Sequence, residues 1–438
     1  MLTKLGLAQE LAARHETHGD IIVGLAGAGQ MGTDMVVQCA HMTGVRIGAI
    51  SESRPERALA ACRMAGLGDD DVVEVKAGQS ADAAIEAGKI AISDDFEMLC
   101  NAGRIDVLID ATGNPNIGAR LSLSAMSAGK HVVMLNVEAD ITIGRYMKQA
   151  AKKAGVVYTG AAGDEPACTL ELIGFAQSLG LEIVAAGKGK NNPLRFDAVP
   201  EDYQEEAARR NMNARMLVEF VDGSKTMIEM VAIANATGLV PDCPGMHGPA
   251  AGRDELAQVL CTEEDGGILS APGRVDYTIG KGVAPGVFCV VKPKHPRLAE
   301  RMTDLKVGPG PCYALFRPYH LTSMEVPLSA IRAVTTGRPD MEPVDQPVAE
   351  CTTVAKRDLA PGEILGRIGQ RDYRGWAMTW EGAKQAKGLP LGLVEKAKVL
   401  KPIKAGELIT SDNAAPDESL MITQIRRELD AQDEKVYA

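Results

Sequence analysis

The chain has 438 residues, 45% of them hydrophobic and 24% charged, which allows two or three globular domains with substantial apolar cores. Its net charge of -11 argues against nucleic acid or an anionic membrane as the main partner, so an anionic substrate requires a local basic cluster. The nine cysteines form no C-x-x-C pair, and no apolar run reaches the ~18 residues of a membrane span. We therefore expect a cytoplasmic protein with reduced thiols and no zinc site.

A glycine-rich turn near the start of the chain predicts a dinucleotide site. An apolar run at 21–26 leads into a G-x-G-x-x-G sequence, then a helix-like stretch at 33–43 and a second apolar run at 45–50. The first glycine would allow the tight turn, the second the approach of a pyrophosphate, and the third close packing of the helix on the strand. Free N–H groups at the helix start would face the phosphates. The expected cofactor contacts of this turn are Gly27, Gly29, Gln30, Met31 and Gly32.

Strand-like and helix-like segments alternate as far as about residue 160, which predicts a doubly wound parallel (Rossmann) sheet and an α/β fold. From about 166 the pattern predicts an α+β substrate domain on a mostly antiparallel sheet. Within it, 215–221 is expected to be a strand and 225–236 a helix. Strands are also expected at 274–279 and 287–292.

The last part of the chain predicts a helix, a linker and a small module. We expect a helix at 328–335 to return to the first domain, followed by a proline-rich linker at 337–347. Two similar phrases, at 355–365 and 400–409, resemble the SAF (β-clip) domain of sialic-acid synthases and altronate dehydratases. A charged helix ends the chain. The expected domains are 1–162 for the cofactor, 163–336 for catalysis and dimerisation, and 348–438 for the SAF-like module.

Polar residues at the end of the second strand bear on the choice between NAD and NADP. Ser51, Glu52, Ser53 and Arg54 lie about twenty residues past the glycines, where the ribose is read. Glu52 by itself favours NAD, whereas serine hydroxyls and the Arg54 guanidinium suit a 2′-phosphate. A plain helix cap at Ser53 is the third alternative. We expect NADPH.

Two further strand ends are expected to flank the nicotinamide. One carries Thr112 and Gly113, and the other carries Asn136. Ligands of a doubly wound sheet bind beyond the carboxyl ends of its strands. Capping of the following helices explains the same residue types equally well.

A lysine-rich segment, Gly187-Lys-Gly-Lys-Asn-Asn-Pro193, follows an apolar strand at 183–186. We expect a flexible, positively charged loop that binds phosphate or carboxylate, or that supplies a lysine as proton donor. Exposed lysines in a turn are the alternative. The candidate residues are Lys188, Lys190, Asn191 and Asn192.

Carboxylates and a histidine complete the candidate site. Asp164 and Glu165 precede a helix, which suits either a helix cap or oxygen ligands for a divalent cation. Arg317 and His320 stand together, and His320 could act as an acid or an orienting donor, or be structural. Glu229 and Asn235, six positions apart on one helix, do not share a face, so we expect at most one to line a pocket.

The first two domains resemble the homoserine dehydrogenase-like oxidoreductases. The shared phrases are the glycine turn, Asp110-Ala-Thr-Gly113 and Gly129-Lys-His-Val-Val-Met-Leu-Asn136. That family commonly has lysine after the asparagine, whereas this chain has Val137. The departure counts against plain homoserine dehydrogenase activity.

A closer resemblance, over nearly the whole chain, is to the reductoisomerase-like branch of that family. It is carried by Gly163-Asp-Glu-Pro, Ala185–Pro193, Phe316-Arg-Pro-Tyr-His320 and the SAF-like tail. The resemblance implies NADPH-dependent conversion of 1-deoxy-D-xylulose 5-phosphate to 2-C-methyl-D-erythritol 4-phosphate in isoprenoid synthesis by the methylerythritol phosphate pathway. It also implies a homodimer, fosmidomycin sensitivity and a divalent metal, magnesium or manganese.

On this resemblance the lysine segment, with Arg317 or His320, would hold the sugar phosphate, and Asp164 and Glu165 would hold the metal. Two alternatives stay open. One is an NAD(P)-dependent dehydrogenase of a small hydroxy acid, aldehyde or sugar that causes no rearrangement. The other is a protein that senses NADP without catalysis.

Overall fold

The structure is a computed structural model that describes residues 2–76, 78–210 and 212–437. The chain forms two compact units, the first made of Met1–Asp164 and Leu321–Glu342 and the second of Glu165–His320 and Pro343–Ala438. The domain boundaries expected at 163 and 348 stay predictions. All nine cysteines are free thiols, and no helix of the described chain is long and apolar enough to cross a bilayer.

The first unit is built on a seven-stranded parallel sheet, in the order β3-β4-β2-β1-β5-β6-β7. Its central strands are buried on both faces, as their continuous apolar runs predict. The strand order reverses direction at β1, between β2 and β5, which is where a doubly wound sheet opens its ligand crevice. The strands are β1 Ile21–Ala26, β2 Val45–Ser51, β3 Val72–Glu74, β4 Ile90–Ser93, β5 Val107–Asp110, β6 His131–Met134 and β7 Tyr158–Gly160.

Helices α1 to α7 accompany this sheet, and one later helix of the chain joins them. The expected doubly wound α/β domain is therefore confirmed. The helices are α1 Leu7–His18, α2 Gln30–Ala40, α3 Pro55–Met64, α4 Asp82–Glu86, α5 Glu97–Asn101, α6 Pro115–Ser127 and α7 Val137–Ala154.

The second unit contains a five-stranded mixed sheet with helices beside it. The sheet order is β12-β11-β8-β10-β9, with β8 at its centre. The elements are α8 Glu165–Ser178, β8 Glu182–Lys190, α9 Gln204–Arg209, α10 Ala214–Val221, α11 Ser224–Thr237, β9 Val240–Pro241, α12 Leu256–Val259, β10 Arg274–Ile279, β11 Val287–Lys292, α13 Pro296–Asp304 and β12 Tyr313–Arg317.

Two expectations for this unit are wrong. The sheet is not mostly antiparallel, because β10 runs parallel to both β8 and β9. The run 215–221 is not a strand but most of α10, in which Leu217, Val218 and Val221 are buried at helical spacing. The Asn213 side chain caps this helix by accepting a hydrogen bond from the backbone N–H of Arg215 at 2.9 Å.

The helix expected at 328–335 is α14, Val326–Thr336, and it belongs to the first unit. It packs against β5, β6 and α1. The linker expected at 337–347 contains no helix or strand, but Met341 within it is buried and its carbonyl accepts a hydrogen bond from Gly160.

The C-terminal segment of the second unit is β-rich, as expected. Its two similar phrases form similar turns, in which Glu363 and Glu407 each accept a hydrogen bond from the backbone N–H three residues earlier. Leu359 and Ile403 of the two phrases pair with each other. The remaining elements are β13 Ala349–Ala355, β14 Tyr373–Thr379, α15 Trp380–Gln385, β15 Lys398–Val399, β16 Leu408–Ile409, β17 Ala414–Ala415 and α16 Met421–Tyr437.

Candidate active site

The glycine turn of the first unit has the geometry of a dinucleotide cradle. Gly27 has φ +95°, and a Cβ there would lie 2.7 Å from the Ala111 carbonyl oxygen. A Cβ at Gly32 would lie 2.1 Å from the Gly27 carbonyl oxygen, so only glycine lets α2 approach β1 this closely. Gly29 is exposed, and a Cβ there would meet nothing within 4 Å. The turn thus leaves space for a ligand at the N-terminus of α2, which begins at Gln30.

Glu52, at the end of β2, points back to this turn. Its carboxylate is buried and accepts hydrogen bonds from the backbone N–H of Ala28 at 2.8 Å and of Arg54 at 3.2 Å. The Ser53 hydroxyl donates to the same carboxylate at 3.1 Å, while Ser51 is buried. Arg54 is exposed at the rim. The carboxylate and the guanidinium that the sequence offers as alternative readers of the ribose therefore lie at the same strand end, and their roles stay predictions.

Asp110 organises the two neighbouring strand ends. Its buried carboxylate accepts from the Thr112 N–H at 2.9 Å, the Thr112 hydroxyl at 2.6 Å and the Asn136 amide at 3.1 Å. Asn136 also caps α7 by accepting from Ala139 at 3.3 Å. Asn136 is buried and committed to these bonds, as the capping alternative describes, whereas Gly113 is exposed.

The second unit contains a buried ion cluster around Lys188. Lys188 Nζ donates to Glu165 Oε1 at 2.6 Å and also to a carboxylate oxygen of Glu229. Burial by itself would lower the pKa of Lys188, but the charges of the two glutamates raise it above its usual value. The ammonium therefore stays protonated, and its charge is already balanced by two carboxylates.

The prediction that the two lysines lie in a flexible loop is wrong. Lys188 and Lys190 lie in β8, the central strand, and both are buried. A Cβ at Gly187 would lie 1.7 Å from the Asp276 carbonyl oxygen, and one at Gly189 would lie 2.0 Å from that of Val283. The glycines therefore serve close strand packing, and their alternation with lysine places both lysines on one face of the sheet.

Lys190 has a different environment from Lys188. Its Nζ donates to the Phe220 carbonyl, and burial, with the nearby Lys188 charge, lowers its pKa to about 8. Asn191 and Asn192 follow the strand, Asn191 exposed and Asn192 half-buried. The asparagines are thus the part of the segment that does form a loop.

Two predicted residues near the end of β12 differ in their connection to the cluster. His320 Nε2 lies 3.5 Å from Glu165 Oε1, so it adjoins the carboxylate that holds Lys188. Arg317 instead pairs with Glu171 at 2.9 Å and lies over the Tyr319 ring at 4.9 Å. His320 therefore belongs to the cluster, whereas the charge of Arg317 is partly balanced by Glu171, outside the cluster.

The cluster offers a set of oxygen ligands. Ligand atoms of Glu165 and Glu229 lie within 4.8 Å of each other, and Asp164, bonded to Glu165 along the chain, belongs to the same group. Three carboxylates against one ammonium leave two negative charges, which a divalent cation would neutralise. Glu229 Oε1 is buried and has no hydrogen-bond partner among the described residues. The residues therefore fit a divalent cation.

Sequence reasoning left Glu229 outside the site. Burial, with the Glu165 charge, raises its pKa to about 7, the strongest sign of its role in the cluster. Glu229 and Asn235 lie six positions apart on α11, so they do not share a face of the helix. The Asn235 side chain accepts a hydrogen bond from the Ala349 N–H at 3.0 Å. That spacing showed that only one of the two could line the site, but not which one.

Two protein-family models match segments of the chain. Residues 27–159 match the NAD-binding domain of homoserine dehydrogenase. Residues 163–326 match the catalytic domain of oxidoreductase DRL. The chain is therefore an NAD(P)-dependent oxidoreductase. No curated protein matches it significantly.

Solved structures share parts of the fold at low identity. A probable dehydrogenase from Thermotoga maritima has 14% identity and a TM-score of 0.41, covering 73% of this chain and 90% of the other. A DOX-P reductoisomerase in complex with magnesium has 14% identity and a TM-score of 0.39, covering 71% and 69%. A putative myo-inositol dehydrogenase from Sinorhizobium meliloti 1021 has 12% identity and a TM-score of 0.39, covering 73% and 90%. These scores carry no information about the substrate.

Proposed function

We propose that this chain is an NADPH-dependent reductoisomerase that converts 1-deoxy-D-xylulose 5-phosphate to 2-C-methyl-D-erythritol 4-phosphate. The observation that carries the proposal is the cluster of Lys188 with Glu165 and Glu229 in the segment that matches the DRL catalytic domain. A rearranging ketose needs two adjacent oxygens held and polarised while its carbon skeleton changes. A protonated lysine beside a carboxylate cation site provides donors and charge of that kind.

The cofactor and the cation each supply one part of the chemistry. The glycine turn would hold NADPH, which would supply hydride for the reduction. Asp164, Glu165 and Glu229 would hold a magnesium or manganese ion, which would supply Lewis-acid polarisation of substrate oxygens.

The protein side chains orient the substrate and hold the proton. Lys188 Nζ keeps its proton because Glu165 and Glu229 stabilise the ammonium, so it can donate to a substrate oxygen as negative charge develops there. His320, 3.5 Å from Glu165, would orient that carboxylate. Lys188 thus acts as a donor in this proposal rather than as the cation that binds the phosphate.

The test is turnover of 1-deoxy-D-xylulose 5-phosphate by the purified protein with NADPH and manganese, followed by carbon NMR of the product. A branched skeleton supports the proposal. An unbranched polyol phosphate has the same mass but a distinguishable spectrum, and it would establish reduction without rearrangement. Absence of any turnover would overturn the specific substrate.

The Lys188→Met variant tests the role of the cluster. We expect a loss of turnover of about two to four orders of magnitude, typical of a positioned proton donor. Lys292→Met is the matched control, because Lys292 pairs with Asp265 at 2.7 Å in the same sheet without contacting the cluster. Equal activity of the two variants would contradict the assignment of Lys188.

A second candidate is a dehydrogenase of a small hydroxy acid, aldehyde or sugar. The match of residues 27–159 to the homoserine dehydrogenase cofactor domain favours it. Oxidation of NADPH or NADH by such a compound, with the sugar phosphate unreactive, would replace the first proposal with this one. The proposed homodimer is tested separately by analytical ultracentrifugation.

A further inference from the structure

Arg374, on β14, is a buried arginine whose guanidinium has an N–H group without a hydrogen-bond acceptor in the part of the chain that the structure describes. It is 9% exposed, and its guanidinium packs against two aromatic rings, 4.1 Å from the centroid of Phe196 and 4.6 Å from that of Trp376. Its Nη1 has no hydrogen-bond partner among the described residues. A buried donor without a partner costs free energy, so this position is suited to a ligand that accepts a hydrogen bond.

Arg374 forms no ion pair with a carboxylate among the described residues, although the charge of Asp222 acts on it. Asp222 is fully buried and pairs with Lys356 at 3.0 Å, which balances that carboxylate. The Asp222 charge also acts on Lys190 and Arg374. Burial lowers the pKa of Arg374, and the charge of Asp222 offsets this only in part. Asp222 is already paired with Lys356, and Lys190 is also stabilised by the charge of Glu229, so of these three cations Arg374 is the one left without a carboxylate of its own. A buried charge in this state is unfavourable unless a counter-ion is supplied.

The arginine is connected to the candidate active site through β8 and β10. Lys190 lies on the same face of β8 as Lys188, two residues further on, and donates to the Phe220 carbonyl next to Asp222 along the chain. Tyr277 stands opposite Lys188 in the register of β10 and β8. Lys190 and Arg374, both acted on by Asp222, are thus linked to the end of the strand that carries Lys188.

The segment that ends β8 also covers the arginine. Phe196 belongs to the loop that follows Asn191 and Asn192, and its ring meets Trp376 edge-on at a centroid distance of 6.3 Å. Phe196 is 41% exposed although it packs on Arg374. A small displacement of this ring would open the guanidinium to a ligand.

We propose that Arg374, together with Lys190, binds the oxyanion end of the substrate, with Phe196 as the cover of this subsite. The inference deepens the proposed function, because it supplies the cations for the phosphate that Lys188, balanced by two carboxylates, does not provide. It also gives the C-terminal segment a role in substrate binding. Phosphate and carboxylate share the chemistry that a guanidinium recognises.

The first test measures binding of inorganic phosphate and of acetate to the intact protein by isothermal titration calorimetry. We expect phosphate to bind the wild type and to bind Arg374→Met about 10- to 100-fold more weakly, the loss typical of a charged hydrogen bond. Arg371→Met is the control, because Arg371 is exposed and pairs with Glu201 at 2.8 Å. Stronger binding of acetate would identify a carboxylate as the natural group. Binding of neither anion, or equal binding by Arg374→Met, would overturn the inference.

The second test separates an anion contact from a structural role. It compares 1-deoxy-D-xylulose 5-phosphate with 1-deoxy-D-xylulose, which lacks the phosphate. Arg374→Met should raise KM for the phosphorylated compound alone, and Arg374→Lys should restore part of the difference. Equal losses for both compounds would overturn the inference. If neither compound turns over, the proposed function fails, while calorimetry still decides the anion subsite.

Discussion

Glu52 lies at the end of β2, the position from which an acidic residue reads the ribose in dinucleotide-binding folds, so its charge bears on the proposed choice of cofactor. Its two oxygens accept hydrogen bonds from Ala28, Ser53 and Arg54, which orient the carboxylate towards the glycine turn. A carboxylate in this place opposes a 2′-phosphate, whereas the exposed Arg54 attracts one. The proposed preference for NADPH therefore depends on which of the two charges dominates.

Removing the charge of Glu52 should shift the preference towards NADPH. For Glu52→Gln we expect the ratio of the Kd for NADH to the Kd for NADPH to rise about tenfold, because repulsion of the 2′-phosphate is lost. Fluorescence titration with both nucleotides measures the ratio. Glu56→Gln, on the exposed face of α3, is the control. An unchanged ratio would show that Glu52 does not read the ribose.

Lys190 predicts a dependence of stability on pH. Burial lowers its pKa from the usual 10.5 to about 8, so between these values the unfolded chain binds more protons than the folded protein. Stability should therefore rise with pH across this window, by linkage. Between about pH 8 and about pH 10, the thermal midpoint of the wild type should rise relative to that of Lys190→Met. Parallel changes in both proteins would contradict the lowered pKa.

At the scale of elements, β8 shows how a charged sequence becomes a buried central strand. Glycines at 187 and 189 leave no side chain on the face where the neighbouring backbone is close, and lysines occupy the other face. The glutamates that neutralise Lys188 come from α8 and α11, which pack against each other. The strand and the two helices therefore form one structural unit with the ion cluster.

Glycine substitutions in these elements should have opposite effects. Gly189→Ala places a Cβ 2.0 Å from the Val283 carbonyl oxygen, so we expect a loss of several degrees in thermal midpoint or failure to fold. Gly174→Ala, in α8, meets nothing within 4 Å and should stabilise by about 0.5–1 kcal/mol. Differential scanning calorimetry compares the two variants. A harmless Gly189→Ala would show that β8 can separate from its neighbour.

Across the whole molecule, distant segments of the chain meet in the second unit. The C-terminal β14 lies against α11, where the Ser224 hydroxyl oxygen accepts from the Gly375 N–H at 2.9 Å. Lys356, from the same C-terminal segment, reaches the buried Asp222. The C-terminal segment thus belongs to the same compact unit as the ion cluster, while its boundary as a module of its own stays a prediction.

Breaking the buried pair of Lys356 and Asp222 should destabilise this unit. Lys356→Met leaves the carboxylate buried without its partner, so we expect a loss of about 3–5 kcal/mol in unfolding free energy. Lys404→Met is the control, because the pair of Lys404 with Asp358 is exposed and its loss should leave stability unchanged. Denaturant titration of both variants and the wild type measures these unfolding free energies. Similar midpoints would mean that Asp222 finds another partner, such as Lys190.

Much of the fold was predictable because its signals are local. The alternation of apolar runs and helical stretches predicted the parallel sheet, and β10 and β11 begin and end at the expected residues. The exceptions have physical reasons. The stretch 215–221 is rich in strand-forming residues, but its apolar side chains are buried together at helical spacing. The alternation of glycine and lysine has the period of a strand, but its charge led to the expectation of a loop, which the structure corrects.

The sequence by itself determined the cofactor turn, since a positive φ at Gly27 and close helix packing at Gly32 depend on neighbouring residues. It also named both lysines and the two carboxylates at the start of α8, Asp164 and Glu165. Only the tertiary structure decided their roles, because Lys188 meets partners 23 and 41 positions away in the chain. It likewise placed Arg374 near Asp222, far apart in sequence. A buried charge takes its state from neighbours brought together by folding, and no local pattern encodes that balance.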